Sequence, residues 1–260
     1  MKTALITGAS VGIGAAFAKE LASRKMDVVL VARSQDKLEQ LAEKLRSQYN
    51  IKAYVIPQDL TQPDATQLVF DAISQQGLTI DLLINNAGFG DYGAFADRPL
   101  NKQVQMIQLN ITALVELTHL FLTDMKKRGA GAIVNVASIA GYQPLPYCSV
   151  YCGTKAFVLN FTEALWAENK DSGVRFLVVC PGPTESNFFV AAEFPQTLSA
   201  GGQNYTTAEE VVKDTLTALD KDFSTLVTGG FTNQFIVNLP RFFPRDTIVS
   251  LVEKQFKPKK

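Results

Sequence analysis

Short apolar runs rich in Val, Ile and Leu punctuate the chain at residues 3–7, 27–32, 51–56, 80–85, 131–137 and 174–180, with a weaker one near 224–228. None alternates apolar with polar residues. That pattern belongs to strands covered on both faces, as in a parallel sheet with crossover helices above and below it. The stretches between the runs read as amphipathic helices. In residues 34–48, Leu38, Leu41 and Leu45 recur at spacings of three and four, charges fill the other faces, and Ser34 stands where an N-cap belongs. Thr207-Ala208-Glu209-Glu210 ahead of Val211, Val212 and Leu216 carries a capping-box signature. Alternating strands and helices predict an α/β, doubly wound fold: a mostly parallel seven-stranded sheet with helices on both faces, joined by right-handed crossovers.

No linker rich in Pro, Gly or Ser divides the chain and no solenoid repeat appears, so residues 1–260 read as one domain. The longest stretch without periodicity is about 182–205, which holds Phe188, Phe189, Phe194 and the pair Gly201-Gly202. A loop that long inside a compact domain is expected to serve function, here as a substrate loop. A C-terminal helical segment over about 240–256 mixes Arg241 and Arg245 with Phe242, Phe243, Ile248, Leu251, Val252 and Phe256. It reads as a helix packed on its own subunit or on a neighbour, with the final lysines frayed.

Composition narrows the function classes. The 260 residues are 47% hydrophobic, and 25 basic residues balance 25 acidic ones, which argues against a nucleic-acid partner. Three cysteines, an odd number at low density, suit a reducing compartment, so a cytoplasmic setting is expected. Uninterrupted apolar runs end at about five residues, well short of the ~18 a bilayer span needs, and no transmembrane segment is expected. Met1-Lys2 passes straight into the first run without a leader pattern, so the fold is expected to begin at residue 2 or 3. His119 has no second histidine to join it, so no metal site is expected.

Chemistry enters at the end of the first run, where residues 7–14 read T-G-A-S-V-G-I-G and lead into a helical pattern. Gly8, Gly12 and Gly14 would let the backbone turn tightly against a pyrophosphate, with Ser10, Ile13 and the helix N-terminus completing the cradle. Ala32 and Arg33 lie 18 and 19 positions beyond Gly14, where an acidic residue would select NAD and an Arg would accept the 2′-phosphate of NADP. NADP(H) is therefore the expected cofactor, although Asp36 offers a rival carboxylate in the first turn of the next helix. Tyr151 and Lys155 lie four apart at the start of a helical pattern, so both side chains can meet one ligand. A phenol with a pKa near ~10 exchanges protons poorly at neutral pH, and a neighbouring cation would lower that value.

Taken together, these motifs resemble the short-chain dehydrogenase/reductase family, in the branch of soluble bacterial relatives of long-chain 3-oxoacyl-CoA and steroid reductases. The likeness rests on T-G-x-x-x-G-I-G at residues 7–14, N-N-A-G at 85–88, Ser138 placed 13 positions before Tyr151, Y-x-x-x-K at 151–155, and P-G at 181–182. It implies a Rossmann-type fold and an oxidoreductase in which Tyr151 is the general acid or base. Lys155 would tune that phenol and hold the nicotinamide ribose, Ser138 would hold the substrate oxygen, and Asn110 would anchor a proton-relay water. Asp59 and Leu60 would flank the adenine, Asn86, Ala87 and Gly88 would line the cofactor, and Pro181, Gly182 and Thr184 would lie near its carboxamide. A homodimer or homotetramer is implied too, with the Tyr151 helix and the Asn110 helix as its surface. Phe89, Tyr142, Leu145, Phe188, Phe189 and Phe194 border the implied substrate cleft and point to an apolar carbonyl substrate. The competing reading is a dinucleotide-binding regulatory or scaffold protein that has kept the fold without turnover.

Overall fold

A computed structural model describes residues 2–185, 187–195 and 205–258. Seven strands form one sheet: β1 (Thr3–Thr7), β2 (Asp27–Ala32), β3 (Ala53–Pro57), β4 (Leu82–Asn85), β5 (Gly131–Val136), β6 (Val174–Cys180) and β7 (Thr225–Val227). Their order is β3-β2-β1-β4-β5-β6-β7, and every pairing is parallel. The order reverses between β1 and β4, which places a crevice at the carboxyl ends of those strands. Strand bounds follow the apolar runs to within two residues; Ile51 precedes β3 rather than opening it.

Both faces of the sheet are apolar because both are covered. Ala4, Ile6, Val28 and Leu30 point to one side, where they pack with Phe17 and Leu21 of α1 (Gly12–Ser23) and with Leu38 and Leu45 of α2 (Gln35–Tyr49). On the other side Leu5, Val29 and Leu83 meet Val69 and Ile73 of α3 (Ala65–Gln75). Then α4 (Leu100–Ile107) continues through a π-helical turn, Gln108–Thr112, into α5 (Ala113–Arg128). The continuous helix Leu100–Arg128 is long and apolar enough to cross a membrane by length and composition. No uninterrupted apolar run marks it in the sequence, because polar residues punctuate it. Its Ala113, Leu117, Phe121 and Met125 are spent on the sheet.

Beside α5 runs α6 (Ser149–Glu168), and a chain of amides and hydroxyls joins the two through the strands. Asn85 Nδ2 donates to Thr118 Oγ1 at 3.0 Å and to Asn135 Oδ1 at 2.9 Å, and Asn135 Nδ2 donates to Thr162 Oγ1 at 2.9 Å.

Within residues 182–205, a short helix α7 (Phe188–Ala191) forms and Thr184 bridges to Thr206, whereas Gly201-Gly202 lie outside the described residues. The capping box at Thr207 opens α8 (Ala208–Asp220), with the Glu210 N–H donating to Thr207 Oγ1 at 3.2 Å and the Thr207 N–H donating to Glu210 Oε2 at 2.9 Å. Ser34 occupies the N-cap position of α2, but its side chain makes no capping bond. The chain ends in α9 (Gly230–Asn238), a 3-10 turn and α10 (Arg245–Phe256), whose Ile248 and Val252 are buried beside Tyr92 and Tyr151.

Candidate active site

The glycine turn lies over the β1–β4 crevice. Gly8 has φ +65 and Gly12 φ +56, left-handed backbone that costs glycine little. A Cβ at Gly8 would stand 2.9 Å from Ala87 Cα, and one at Gly14 would press into the Gly8 carbonyl. Asn86 holds this close approach: its Nδ2 donates to the Thr7 carbonyl at 2.9 Å, while the backbone N–H groups of Asn86 and Ala87 donate to Thr7 Oγ1 at 3.0 Å. Val11, the N-cap of α1, carries no group that could bond the first-turn N–H donors. A bare helix start behind a cradle too tight for side chains fits a pyrophosphate.

Arg33 is exposed at the end of β2, close enough for its charge to act on Asp59. Burial pushes the Asp59 carboxyl up, but the Thr61 N–H and hydroxyl, at 3.0 and 2.8 Å, together with Arg33, bring it below the usual carboxylate range. Leu60 turns its side chain into the core, so only its backbone is left to meet an adenine.

The candidate catalytic residues gather where β5, β6 and α6 converge. Ser138 caps the 3-10 turn Ile139–Gly141, accepting the Ala140 N–H at 3.1 Å, and its hydroxyl lies near the buried Tyr151 phenol. Burial drives the Tyr151 pKa above the ordinary phenol value, and the nearby Ser138 hydroxyl works against that rise. Lys155 Nζ lies 5.8 Å from the Tyr151 ring centroid and donates to the Val136 carbonyl at 2.8 Å. Burial lowers Lys155 to about 8. The cation in this state is thus anchored to backbone rather than aimed at the phenol oxygen.

Asn110 sits in the π-helical turn between α4 and α5, where Nδ2 donates to the Phe89 carbonyl at 3.0 Å and to Thr154 Oγ1 at 3.1 Å. Its Oδ1 accepts the Phe89 N–H at 3.1 Å, and a Cβ on Gly88 would approach that oxygen to 2.9 Å. Pro181 accepts from Ser138 through its carbonyl at 3.4 Å, and Thr184 Oγ1 donates to the Gly182 carbonyl at 3.0 Å. Gly182 itself is pressed by the Asn233 side chain. His119 is exposed, and among the described residues no cluster of His, Cys, Asp or Glu suits a metal.

Above Tyr151 the loop aromatics close in. The Phe188 ring lies 5.2 Å from that of Tyr151, Phe194 lies 5.2 Å from Tyr92, and Tyr147 stands 6.2 Å from Tyr92. At the outer end of this group is a cluster the sequence pattern did not reveal. Asp91, 1% exposed, accepts from Arg98 Nε at 2.7 Å and Nη2 at 2.6 Å, from Lys102 Nζ at 2.6 Å, and from Gln103 Nε2 at 2.6 Å. Glu193 reaches the same cations, 2.9 Å from Arg98 and 2.7 Å from Lys102. No local spacing announces a contact between residues a hundred positions apart.

The family model for short chain dehydrogenases matches residues 2–195. The chain belongs to that family. Within it, the chain is 33% identical over 259 residues to a very-long-chain 3-oxoacyl-CoA reductase of Anas platyrhynchos, covering 96% of this chain and 78% of that one. It is 39% identical over 181 residues to the ketoacyl reductase HetN of Nostoc sp., covering 70% of this chain and 63% of the relative's length. Among solved family structures, a 7beta-hydroxysteroid dehydrogenase superposes with a TM-score of 0.85 at 27% identity, covering 96% of each chain. A Sphingobium yanoikuyae short-chain dehydrogenase in complex with NADPH gives 0.81 at 30% identity, covering all of this chain and 97% of the other. The chain is an oxidoreductase of this family, acting on carbonyl or hydroxyl groups.

Proposed function

We propose that the protein reduces an apolar aldehyde or ketone with NADPH, Tyr151 giving the proton. The observation that carries this reading is the buried Tyr151 phenol beside Ser138, with the Lys155 ammonium 5.8 Å from its ring, at the edge of the crevice that the glycine turn also borders. Residues 8–14 would hold the pyrophosphate, Arg33 the 2′-phosphate, Asp59 and the Leu60 backbone the adenine, Asn86, Ala87 and Gly88 the adjoining ribose, and Pro181, Gly182 and Thr184 the carboxamide. Bound NADPH supplies a hydride to the carbonyl carbon. The hydroxyls of Ser138 and Tyr151 hold the carbonyl oxygen as negative charge grows on it, and Tyr151 passes its proton to that oxygen. Lys155 then favours the phenolate left behind, and Asn110, fixed by Phe89 and Thr154, anchors the path by which a proton returns.

The aromatic lining from Tyr92, Tyr147, Phe188 and Phe194 supports an apolar substrate, as do the reductase relatives. A scaffold that had lost turnover would have no need of Ser138, Asn110, Tyr151 and Lys155 in mutual reach. Three free, buried cysteines support a reducing, cytoplasmic setting. NADPH oxidation followed optically against aldehydes, 3-oxoacyl thioesters, quinones and hydroxysteroid ketones tests the reading. Tyr151→Phe should lower turnover by about 10²- to 10⁴-fold while NADPH fluorescence titration still reports binding. Substantial turnover in that variant would remove Tyr151 from the role.

A further inference from the structure

The cluster around Asp91 is built in two unequal halves. Asp91, buried and braced by a hydrogen bond from Gln103, holds Arg98 and Lys102 from inside, whereas the Glu193 carboxylate is 55% exposed and reaches the same two cations from the loop. Both cations also meet solvent, Arg98 at 19% and Lys102 at 26%. Two positive charges against one buried carboxylate leave a site with a net positive charge whenever Glu193 departs. Arg98 offers a planar fork and Lys102 a point charge, donors suited to a carboxylate or a phosphate.

Glu193 does not move alone. Its backbone is left-handed, with φ +60, and the neighbouring Ala192 carbonyl accepts the Tyr92 N–H at 3.0 Å. Five residues upstream, Phe188 lies on the Tyr151 ring, and a Cβ on Gly90 would come within 2.7 Å of Phe188 and 3.4 Å of Tyr151. The ring fills the space over the phenol where a substrate carbon would have to stand. One arm thus carries both the ring over the Tyr151 phenol and the acid that holds the arm down, and that acid, unlike its two cations, is more than half exposed and open to displacement by another anion.

We propose that Arg98 and Lys102 bind an anionic group at the far end of an apolar substrate, and that Glu193 stands in for that group in the free protein. This rests on the reductase reading and names its substrate class: a ketone whose apolar body ends in a phosphate or carboxylate. Arrival of the anion releases Glu193, and Phe188 leaves Tyr151 with it. Recognition at the tail and access at the reacting end are then one event.

Four substrates in two pairs test it at low ionic strength: a 3-oxoacyl-CoA against the N-acetylcysteamine thioester of the same acid, and a long-chain ketone with a terminal carboxylate against its methyl ester. At least one charged member should show a KM about 5-fold or more below that of its neutral partner, the pair identifying phosphate or carboxylate as the group read. Lys102→Gln should collapse that ratio to near one. Glu193→Gln should lower KM for charged and neutral members alike, since it removes only the internal competitor. A ratio near one in both pairs, or a ratio that survives Lys102→Gln, overturns the proposal, because a merely structural cluster would move both members together. If none of the four is reduced, the reductase reading fails, and calorimetric binding of CoA and of the carboxylated ketone still decides the anion site: binding lost in Lys102→Gln supports it, binding absent or unchanged overturns it.

Discussion

Lys155 carries a marked electrostatic tension at the scale of single residues. Its ammonium is buried, it donates to the Val136 carbonyl at 2.8 Å, and burial lowers its pKa from 10.5 to about 8. Below pH 8 the folded and unfolded chains both hold that proton, so the cost of burying the charge is constant. Between pH 8 and 10.5 the unfolded chain holds the proton and the folded one does not, so this group's contribution to stability improves as pH rises. Tyr151 and the buried thiols of Cys148 and Cys180, all pushed up by burial, act in the opposite direction at alkaline pH. The difference between wild type and Lys155→Met isolates the lysine. Across that window wild type should gain about 3 kcal/mol on the variant in urea melts, and a pH-independent difference would show that the ammonium is not buried as described. Under the proposed mechanism this cation, which has no carboxylate partner among the described residues, would be free to act on a Tyr151 phenolate.

At the scale of elements, two N-caps that look alike in sequence behave differently. Thr207 and Glu210 close a reciprocal box on α8, whereas Ser34 stands at the start of α2 without bonding it. Thr207→Ala should therefore cost about 1 kcal/mol, a melting-temperature drop of roughly 2–4 °C by calorimetry, and Ser34→Ala should leave the melt near wild type. The same contrast explains what the sequence made legible. Strands buried on both faces need continuous apolar runs, so all seven strands could be read, and the glycine turn and the Tyr151–Lys155 pair could be read because each is local. The Leu60 side chain is spent in the core, so a role beside the adenine falls to its backbone, which side-chain type in the sequence does not signal. The Asp91 cluster was invisible because charges at 91, 98, 102 and 193 converge only after the chain has folded.

For the molecule as a whole, α6 presents a partly exposed aromatic pair. Phe157 is 40% exposed and stacks on Phe161 with ring centroids 5.5 Å apart and planes 17° from parallel. A homodimer through α5 and α6 would bury this pair, and light scattering should then return twice the 28.4 kDa chain mass for wild type and the single mass for Phe157→Glu. A wild-type monomer would end that assignment.

Beneath the site, the linked amides of Asn85 and Asn135 have a consequence for how the sheet assembles. Strands made almost wholly of Val, Leu and Ile are interchangeable as hydrophobic partners, and a collapsed chain could pair them in several wrong orders. Asn85 and Asn135 stand opposite each other in the β4–β5 register, and each also reaches one hydroxyl, on Thr118 and Thr162. A misplaced β4 or β5 would forfeit the three bonds these amides make here, so wrong pairings carry a larger penalty than the native one, in which the Asn85 Oδ1 is left unpaired. Two asparagines thereby favour one strand order over its rivals, and β4, which borders the crevice, is one of the strands they pin.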